Sequence, residues 1–523
     1  MKIKKLLAAL LSCMVIFSSL SLAMAAEPLS FDLTVNDLNG ATQVKLYRVV
    51  SIDETNGTLT YNINQKYQDI FDELGVDTVA GLETQQVKDI LDALEANITD
   101  VSPAADRTET IAASQEGFTL TGIDMGYYYI TMAGADGTIY NPMLVMVPEQ
   151  DGAGYKDTVV TAKTHRPTID KEIKEGTSWG SKADADVGDI VDFRVTVDVP
   201  VYADNVDPAD VVFRLTDKMS TGLTWVEEQA ASVTDGEGSP VTGALKAGGP
   251  SSSKGVDGTT VTFDFDYEKI KDESSIIVSY KAVVNKDAVT GVPGNNNSVD
   301  LTYTDDPKTG GTFTITPDNT TLYTYGLNVT KAELGNADIV LAGAEFTLTK
   351  GGSKYYFVKN GNIYTAFSEE AYSFTAAGDT FSGTPKAGYE SLETVTGAVD
   401  TVVSGSDGKI VINGLDAGTY TLTETKAPED YYIVSDTVEF TVAAEKIADN
   451  QDGLTGSVAK SSGNENTAAA DAYYYKTIFN STQYVLPKTG DMGVKIIIGC
   501  GAVMIAAACV MLWARRKKNE NQE

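Results

Sequence analysis

Through most of the chain, apolar and polar residues alternate with a period of two. Ile190-Val191-Asp192-Phe193-Arg194-Val195-Thr196-Val197 and Thr259-Thr260-Val261-Thr262-Phe263-Asp264-Phe265 are examples. Side chains on a strand point alternately to opposite faces, so such runs predict strands with one buried face. Val, Thr, Tyr and Ile are frequent in them, and Gly, Asn and Asp clusters separate them, as in β-sandwiches. One stretch breaks the rhythm. Val87, Ile90, Leu91 and Leu94 recur at helical spacing within Leu82–Asn97, which predicts a short helix packed across a sheet of the first domain. Two other runs, Leu6 to Leu22 and Val494 to Ala514, are too continuously apolar for either pattern.

Those two runs mark the ends. Lys2, Lys4 and Lys5 precede the first, and Ala23-Met24-Ala25 follows it, so residues 1–25 read as a signal peptide. Cys13 lies inside its apolar core, ahead of that cleavage site, and is discounted as a lipid-bearing cysteine. The second run is long enough to span a bilayer as a helix over 494–514. The basic tail 515–523, beginning Arg515-Arg516-Lys517-Lys518, holds its end in the cytoplasm. Just ahead stands Leu486-Pro487-Lys488-Thr489-Gly490. Pentapeptide, span and basic tail in that order resemble the LPxTG cell-wall sorting signal of Gram-positive surface proteins. The resemblance implies that a sortase cuts between Thr489 and Gly490 and joins Thr489 to an amine. The precursor would sit transiently in the cell membrane and the product on the cell surface. An ordinary tail-anchored membrane protein is the plainer alternative.

Charge and cysteine content narrow the choice. Lys and Arg number 40 against 73 Asp and Glu, a net charge of −33, which repels nucleic acid and anionic membranes. The three cysteines, Cys13, Cys500 and Cys509, all fall in segments that processing would remove, leaving no disulfide and no thiolate metal site. The acidic surface would permit cation binding, but no EF-hand-like spacing of carboxylates is present, so a calcium site stays open; no metal ligand is assigned, and no cofactor. His165 is the sole histidine and sits in a predicted linker, so a histidine-based catalytic triad is not expected. No Gly-rich phosphate loop occurs, and the chain does not read as a turnover enzyme.

An internal repeat organises the rest. Gly122-Ile123-Asp124-Met125-Gly126-Tyr127-Tyr128-Tyr129-Ile130-Thr131-Met132 matches Gly414-Leu415-Asp416-Ala417-Gly418-Thr419-Tyr420-Thr421-Leu422-Thr423-Glu424. Upstream, Gly40 to Leu46 loosely matches Gly343 to Leu348. The first and third domains therefore read as the same sandwich with a different one between them. The boundaries expected are 26–165, 167–324 and 325–485.

Gly343-Ala344-Glu345-Phe346 and the stretch Tyr420 to Tyr431 resemble the collagen-adhesin B-type domain, and the second stretch resembles its E-box. With the sorting signal, the chain is similar to the major (backbone) pilins of sortase-assembled Gram-positive pili. The fold implied is all-β: tandem immunoglobulin-like, collagen-adhesin-type β-sandwiches, one short helix in the first domain and a C-terminal transmembrane helix. Domains of that family form intramolecular isopeptide bonds, in which a Lys amine displaces ammonia from an Asn side chain. Burial favours the neutral amine and a protonated acid, and that acid can polarise the Asn carbonyl and carry protons. By the resemblance, the third domain supplies Lys331, Asn480 and Glu424, with Glu345 as a solvent-facing decoy. The middle domain supplies Lys171, Asn297 and Asp217. Asn295 and Asn296 adjoin Asn297, so the asparagine is open by one or two positions. Asp170 should face away from Lys171.

The first domain departs from the pattern. Met132 stands where Glu424 stands in the repeat, and no Lys lies between Ala26 and Val44, so no crosslink is expected there. If such a crosslink acts as a disulfide does, closing a loop of more than 100 residues contributes roughly 4 to 5 kcal/mol. The first domain should then be the weakest. In backbone pilins a Lys ending the first domain receives the sorting-motif Thr of the next subunit. Lys163 takes that position in Tyr155 to Thr164, with Thr161-Ala162 where the family has an aromatic residue and Pro, and Lys156 as runner-up. The partners implied are sortase, identical subunits in a covalent homopolymer, peptidoglycan, accessory pilins and a host receptor, with a role in adhesion and colonisation. The alternative is a monomeric, peptidoglycan-anchored adhesin binding a host ligand.

Overall fold

The computed structural model describes residues 30–442 and 473–483, apart from 39, 56–57, 81, 99–101, 152–153, 204–205, 228 and 230. The expected signal peptide, sorting motif, membrane segment and basic tail lie outside the described residues. Among the described residues no helix is long and apolar enough to cross a membrane.

In the first domain, Ser30–Asn36 runs between Thr158–Thr161, which is parallel to it, and Gly117–Asp124, which is antiparallel. A second sheet orders Thr58–Ile63, Ala41–Thr55, Gly126–Gly134 and Met143–Val147. Alternation along Ala41–Thr55 serves both of its faces. Val44 and Leu46 enter the core with Leu33, Val35, Leu120 and Ile130. Tyr47 and Val49 point the other way and pack with Ile90 and Leu94 of the helix Thr84–Asn97. The Gln86 side chain accepts from the Glu83 N–H at 3.0 Å and fixes that helix's start. A second helix, Gln68–Glu73, joins the same cluster through Ile70 and Phe71. It was not expected, because six residues are too few to show a helical period.

The middle domain pairs two six-stranded sheets. One contains Ile169–Glu175, Ile190–Asp198 and Ser275–Val284 as neighbours; the other contains Asn295–Asp306, Phe213–Met219 and Gly258–Asp264. The inward faces carry Ile173, Phe193, Val195, Val278, Leu215, Val261, Phe263, Val299 and Leu301, all buried.

In the third domain one eleven-stranded sheet runs from Tyr432–Ile433 through Tyr473–Ser481, Tyr325–Glu333 and Lys409–Leu415 to Glu345–Lys350 and Gly418–Lys426. Its first strand, Tyr325–Glu333, lies parallel to Tyr473–Ser481. Tyr372–Ala377, Thr380–Pro385 and Val395–Ala398 form a separate small sheet.

The repeat read from the sequence has a shared conformation. Gly122 and Gly414 both take positive φ, +70° and +85°. Tyr128 Oη donates to Asp124 O and Tyr420 Oη donates to Asp416 O, each at 2.9 Å.

The chain divides into two compact units, one built chiefly from residues before Thr324 and the other from residues after it. The first two domains fall in the same unit because they are bonded to each other. Tyr303 Oη donates to Gly137 O at 2.5 Å, and Lys308 Nζ donates to Tyr129 Oη at 2.8 Å.

Candidate functional site

Six of the residues singled out above form two buried clusters. In the middle domain, Lys171 stands on Ile169–Glu175 and Asp217 on Phe213–Met219, in opposite sheets. Asn297 pairs with Met219 in register, two residues from Asp217, so Asp217 and Asn297 share a face. Lys171, Asp217 and Asn297 are 2%, 0% and 0% exposed. Lys171 Nζ donates to Asp217 Oδ2. Asp170 is exposed on the opposite face. Of the three adjacent asparagines, Asn295 bonds Val289 and Leu322, Asn296 bonds Thr321, and Asn297 alone turns into the cluster.

Burial pushes the Lys171 pKa down and the Asp217 pKa up, against the pull of each partner's charge. Both effects favour the neutral amine beside the neutral acid. Asp217 Oδ1 and Asn297 Oδ1 are buried without a hydrogen-bond partner. Two orphaned acceptors in a core are costly, and a proton on Asp217 turns one of them into a donor.

The third domain arranges the same chemistry differently. Lys331 and Asn480 stand on neighbouring parallel strands, Tyr325–Glu333 and Tyr473–Ser481. Asn480 lies two residues past Ile478, the register partner of Lys331, and so shares its face. Glu424 reaches them from Gly418–Lys426, a strand far along the same sheet. Lys331 Nζ donates to Asn480 Oδ1 at 2.5 Å and to Glu424 Oε2 at 3.1 Å. Asn480 Nδ2 donates to Glu424 Oε1 at 2.7 Å. The carboxyl thus holds amine and amide in one closed ring of contacts. Burial lowers the Lys331 pKa and raises that of Glu424. Glu345, the decoy, pairs with Lys426 at 2.7 Å instead.

Family models match both regions. A Gram-positive pilin backbone subunit 2, Cna-B-like domain covers residues 187–307, and a SpaA prealbumin-like fold domain covers 325–453. The Trypsin-resistant surface T6 protein of Streptococcus pyogenes serotype M6 is 26% identical over 463 residues, 83% of this chain and 76% of that protein. The chain belongs to the backbone pilins of Gram-positive bacteria. The solved T6 backbone pilin of serotype M6 Streptococcus pyogenes, described as a modular three-domain structure, shares its fold. The TM-score is 0.58 at 17% identity, over 88% of this chain and 100% of that one.

Elsewhere in this pilin, buried polar side chains of the first domain, among the described residues, are Thr138 and Thr158. Met132 pairs with Val44 where Glu424 pairs with Phe346. The predicted linker around His165 is instead a short strand, Lys163–His165, on which Lys163 is half-buried and paired with Asn141. Lys156 is more open, 3.3 Å from Glu149. Leu486 to Gly490 lie outside the described residues.

One residue of the middle cluster escaped the sequence reading. Tyr280, on Ser275–Val284, sits between Ile276, Val278 and Ala282 on the buried face of its strand. Its hydroxyl accepts from Lys171 Nζ and from Asn297 Nδ2, the latter at 3.2 Å, and donates to Asp217 Oδ2. A tyrosine in an otherwise aliphatic buried alternation was the available signal, since a buried hydroxyl needs a partner.

Proposed function

We propose that this chain is the backbone subunit of a covalent, sortase-assembled surface pilus, internally crosslinked in its middle and third domains. The observation that carries the reading is the closed Lys331–Glu424–Asn480 ring, fully buried and bridging the first and last strands of a domain. Nothing in core packing calls for a lysine there. A buried amine against an amide carbon, with an acid touching both, is what amide exchange requires: the Nζ–Cγ bond forms, the Cγ–Nδ2 bond breaks and ammonia leaves. In the middle domain Lys171, Asn297 and Asp217 take the same roles. Thr489 is the residue a sortase transfers, and Lys163 is the acceptor that extends the polymer, with Lys156 next in line. The last subunit joins peptidoglycan, and accessory pilins and a host receptor complete the partners. Each crosslink forms once, so none of this is turnover catalysis.

Muramidase-released wall protein, probed with antibody to residues 26–485 in wild type and Lys163→Ala, tests the assembly. A high-mass ladder that collapses in the variant supports the reading with Lys163 as acceptor. A ladder that persists moves the acceptor to Lys156. A single monomer-sized band in both strains overturns the polymer and leaves a wall-anchored adhesin.

A further inference from the structure

The middle cluster contains a fourth polar group, Tyr280, that the third-domain cluster lacks among the described residues. Tyr280 is 3% exposed, and its ring is clamped by Phe193, stacked at 5.6 Å, and Phe263 at 5.5 Å. It reaches the site from the lysine's own sheet, two strands over: Ile173 pairs with Phe193, and Phe193 pairs with Tyr280. The hydroxyl touches three groups at once: the attacking Nζ of Lys171, the acid of Asp217 and the departing Nδ2 of Asn297. In the third domain Asn480 Nδ2 donates directly to the second oxygen of Glu424. In the middle domain the corresponding donation goes to the tyrosine, and Asp217 Oδ1 has no partner.

The reaction defines what that hydroxyl must do. The amine begins with two hydrogens and ends as an amide with one; the Asn nitrogen begins with two and leaves as ammonia with three. One proton has to pass from Nζ to Nδ2. We propose that Tyr280 is a catalytic proton relay for the middle-domain crosslink. As Nζ bonds to Cγ, the carbonyl oxygen of Asn297 takes the Asp217 proton. Nζ then gives a proton to the Tyr280 oxygen while Tyr280 gives its own to Nδ2. The Cγ–Nδ2 bond breaks, ammonia leaves, and the carbonyl reforms by returning its proton to Asp217. Tyr280 and Asp217 finish as they began, and no outside reagent is consumed. Burial holds the Tyr280 pKa well above its ordinary value, so the phenol stays protonated and relays in concert rather than as a free phenolate.

The inference rests on the crosslink reading above, and the test separates the two. Full-length chain is made by cell-free synthesis and quenched in acid at intervals. Digestion then yields the branched peptides joining Lys171 to Asn297 and Lys331 to Asn480, and both are quantified. Tyr280→Phe keeps the ring and removes only the hydroxyl. The expected result is a middle-domain crosslink slowed on the order of a hundredfold, the usual worth of a positioned acid–base group, with the third-domain crosslink unchanged. Equal rates at the middle domain in wild type and variant overturn the relay. A wild type with no Lys171–Asn297 peptide overturns the crosslink itself. Should protease protection show that Tyr280→Phe leaves the middle domain unfolded, 3,5-difluorotyrosine at position 280 serves instead. It preserves shape and acidifies the phenol; a several-fold change in rate supports the relay, and an unchanged rate overturns it.

Discussion

Lys331 Nζ meets Asn480 Oδ1 at 2.5 Å although the two residues are 149 apart in the chain. Their strands are parallel neighbours, so a bond between them closes nearly the whole third domain into a loop. By the chain-entropy model, a loop of that length contributes about 5 kcal/mol. Asn480→Ala and Glu424→Gln should each leave separate Lys331 and residue-480 peptides in a tryptic map. Each should also lower the third domain's stability by about that amount in calorimetry. The idea fails if the wild-type map already shows the two peptides apart.

The middle domain provides a pH signature. In Lys171→Met the buried Asp217 has lost its cation, and burial raises its pKa. The folded domain then holds a proton that the unfolded chain has released, so folding binds a proton. Stability is full below the unfolded carboxylate value of about 3.9 and falls as pH rises, by at most about 1.4 kcal/mol per unit. It levels off above the raised folded pKa. Two of the three tryptophans, Trp179 and Trp225, stand in this domain, so urea titrations followed by fluorescence read it. Lys171→Met/Asp217→Asn should remove the slope; a slope that survives the second substitution would assign it to another group.

The matched tyrosines offer a third measurement. Tyr128 and Tyr420 each donate to the carbonyl four residues earlier at 2.9 Å and tie a strand to the turn that enters it. Replacing either with Phe removes one hydrogen bond and leaves a half-buried carbonyl to water, a loss of about 1 kcal/mol. The two losses should be equal within error if the repeat is energetic as well as geometric. A neutral effect at one site and a large one at the other would show that the likeness ends at the backbone.

What the sequence revealed and what it hid follow from the range of each signal. Alternation is local, so Ile190–Asp198 and Gly258–Asp264 were legible as strands. Lys171, Asp217, Lys331, Glu424 and Asn480 could be picked out because the resemblance to the pilin family implies a lysine, an asparagine and an acid at those places, not because the alternation singles them out. Which of Asn295, Asn296 and Asn297 faces the core depends on register with Phe213–Met219, a non-local quantity. Tyr280 stayed hidden because tyrosine is an ordinary core residue until its hydroxyl partner is known. His165 read as linker because Lys163–His165 is three residues long and exists only through its pairing with Ile139–Asn141.

The joint between the first two domains depends on a residue with no side chain. Gly137 has φ of +81°, and its carbonyl accepts from Tyr303 Oη at 2.5 Å. A Cβ there would fall on the Phe313 ring and within 2.6 Å of the Tyr303 hydroxyl. Tyr303 and Phe313 stand on paired strands of the middle domain, so neither can retreat without moving the sheet edge. Gly137→Val therefore adds backbone strain to an overlap, roughly 2 to 4 kcal/mol together. The cost should appear at the joint and spare both cores. Calorimetry of the variant should split a shared transition of the first two domains into two, with protease cleavage newly appearing between Gly137 and Ile169. A single unchanged transition would mean that the two sandwiches already melt independently and that the Tyr303–Gly137 bond does not couple them.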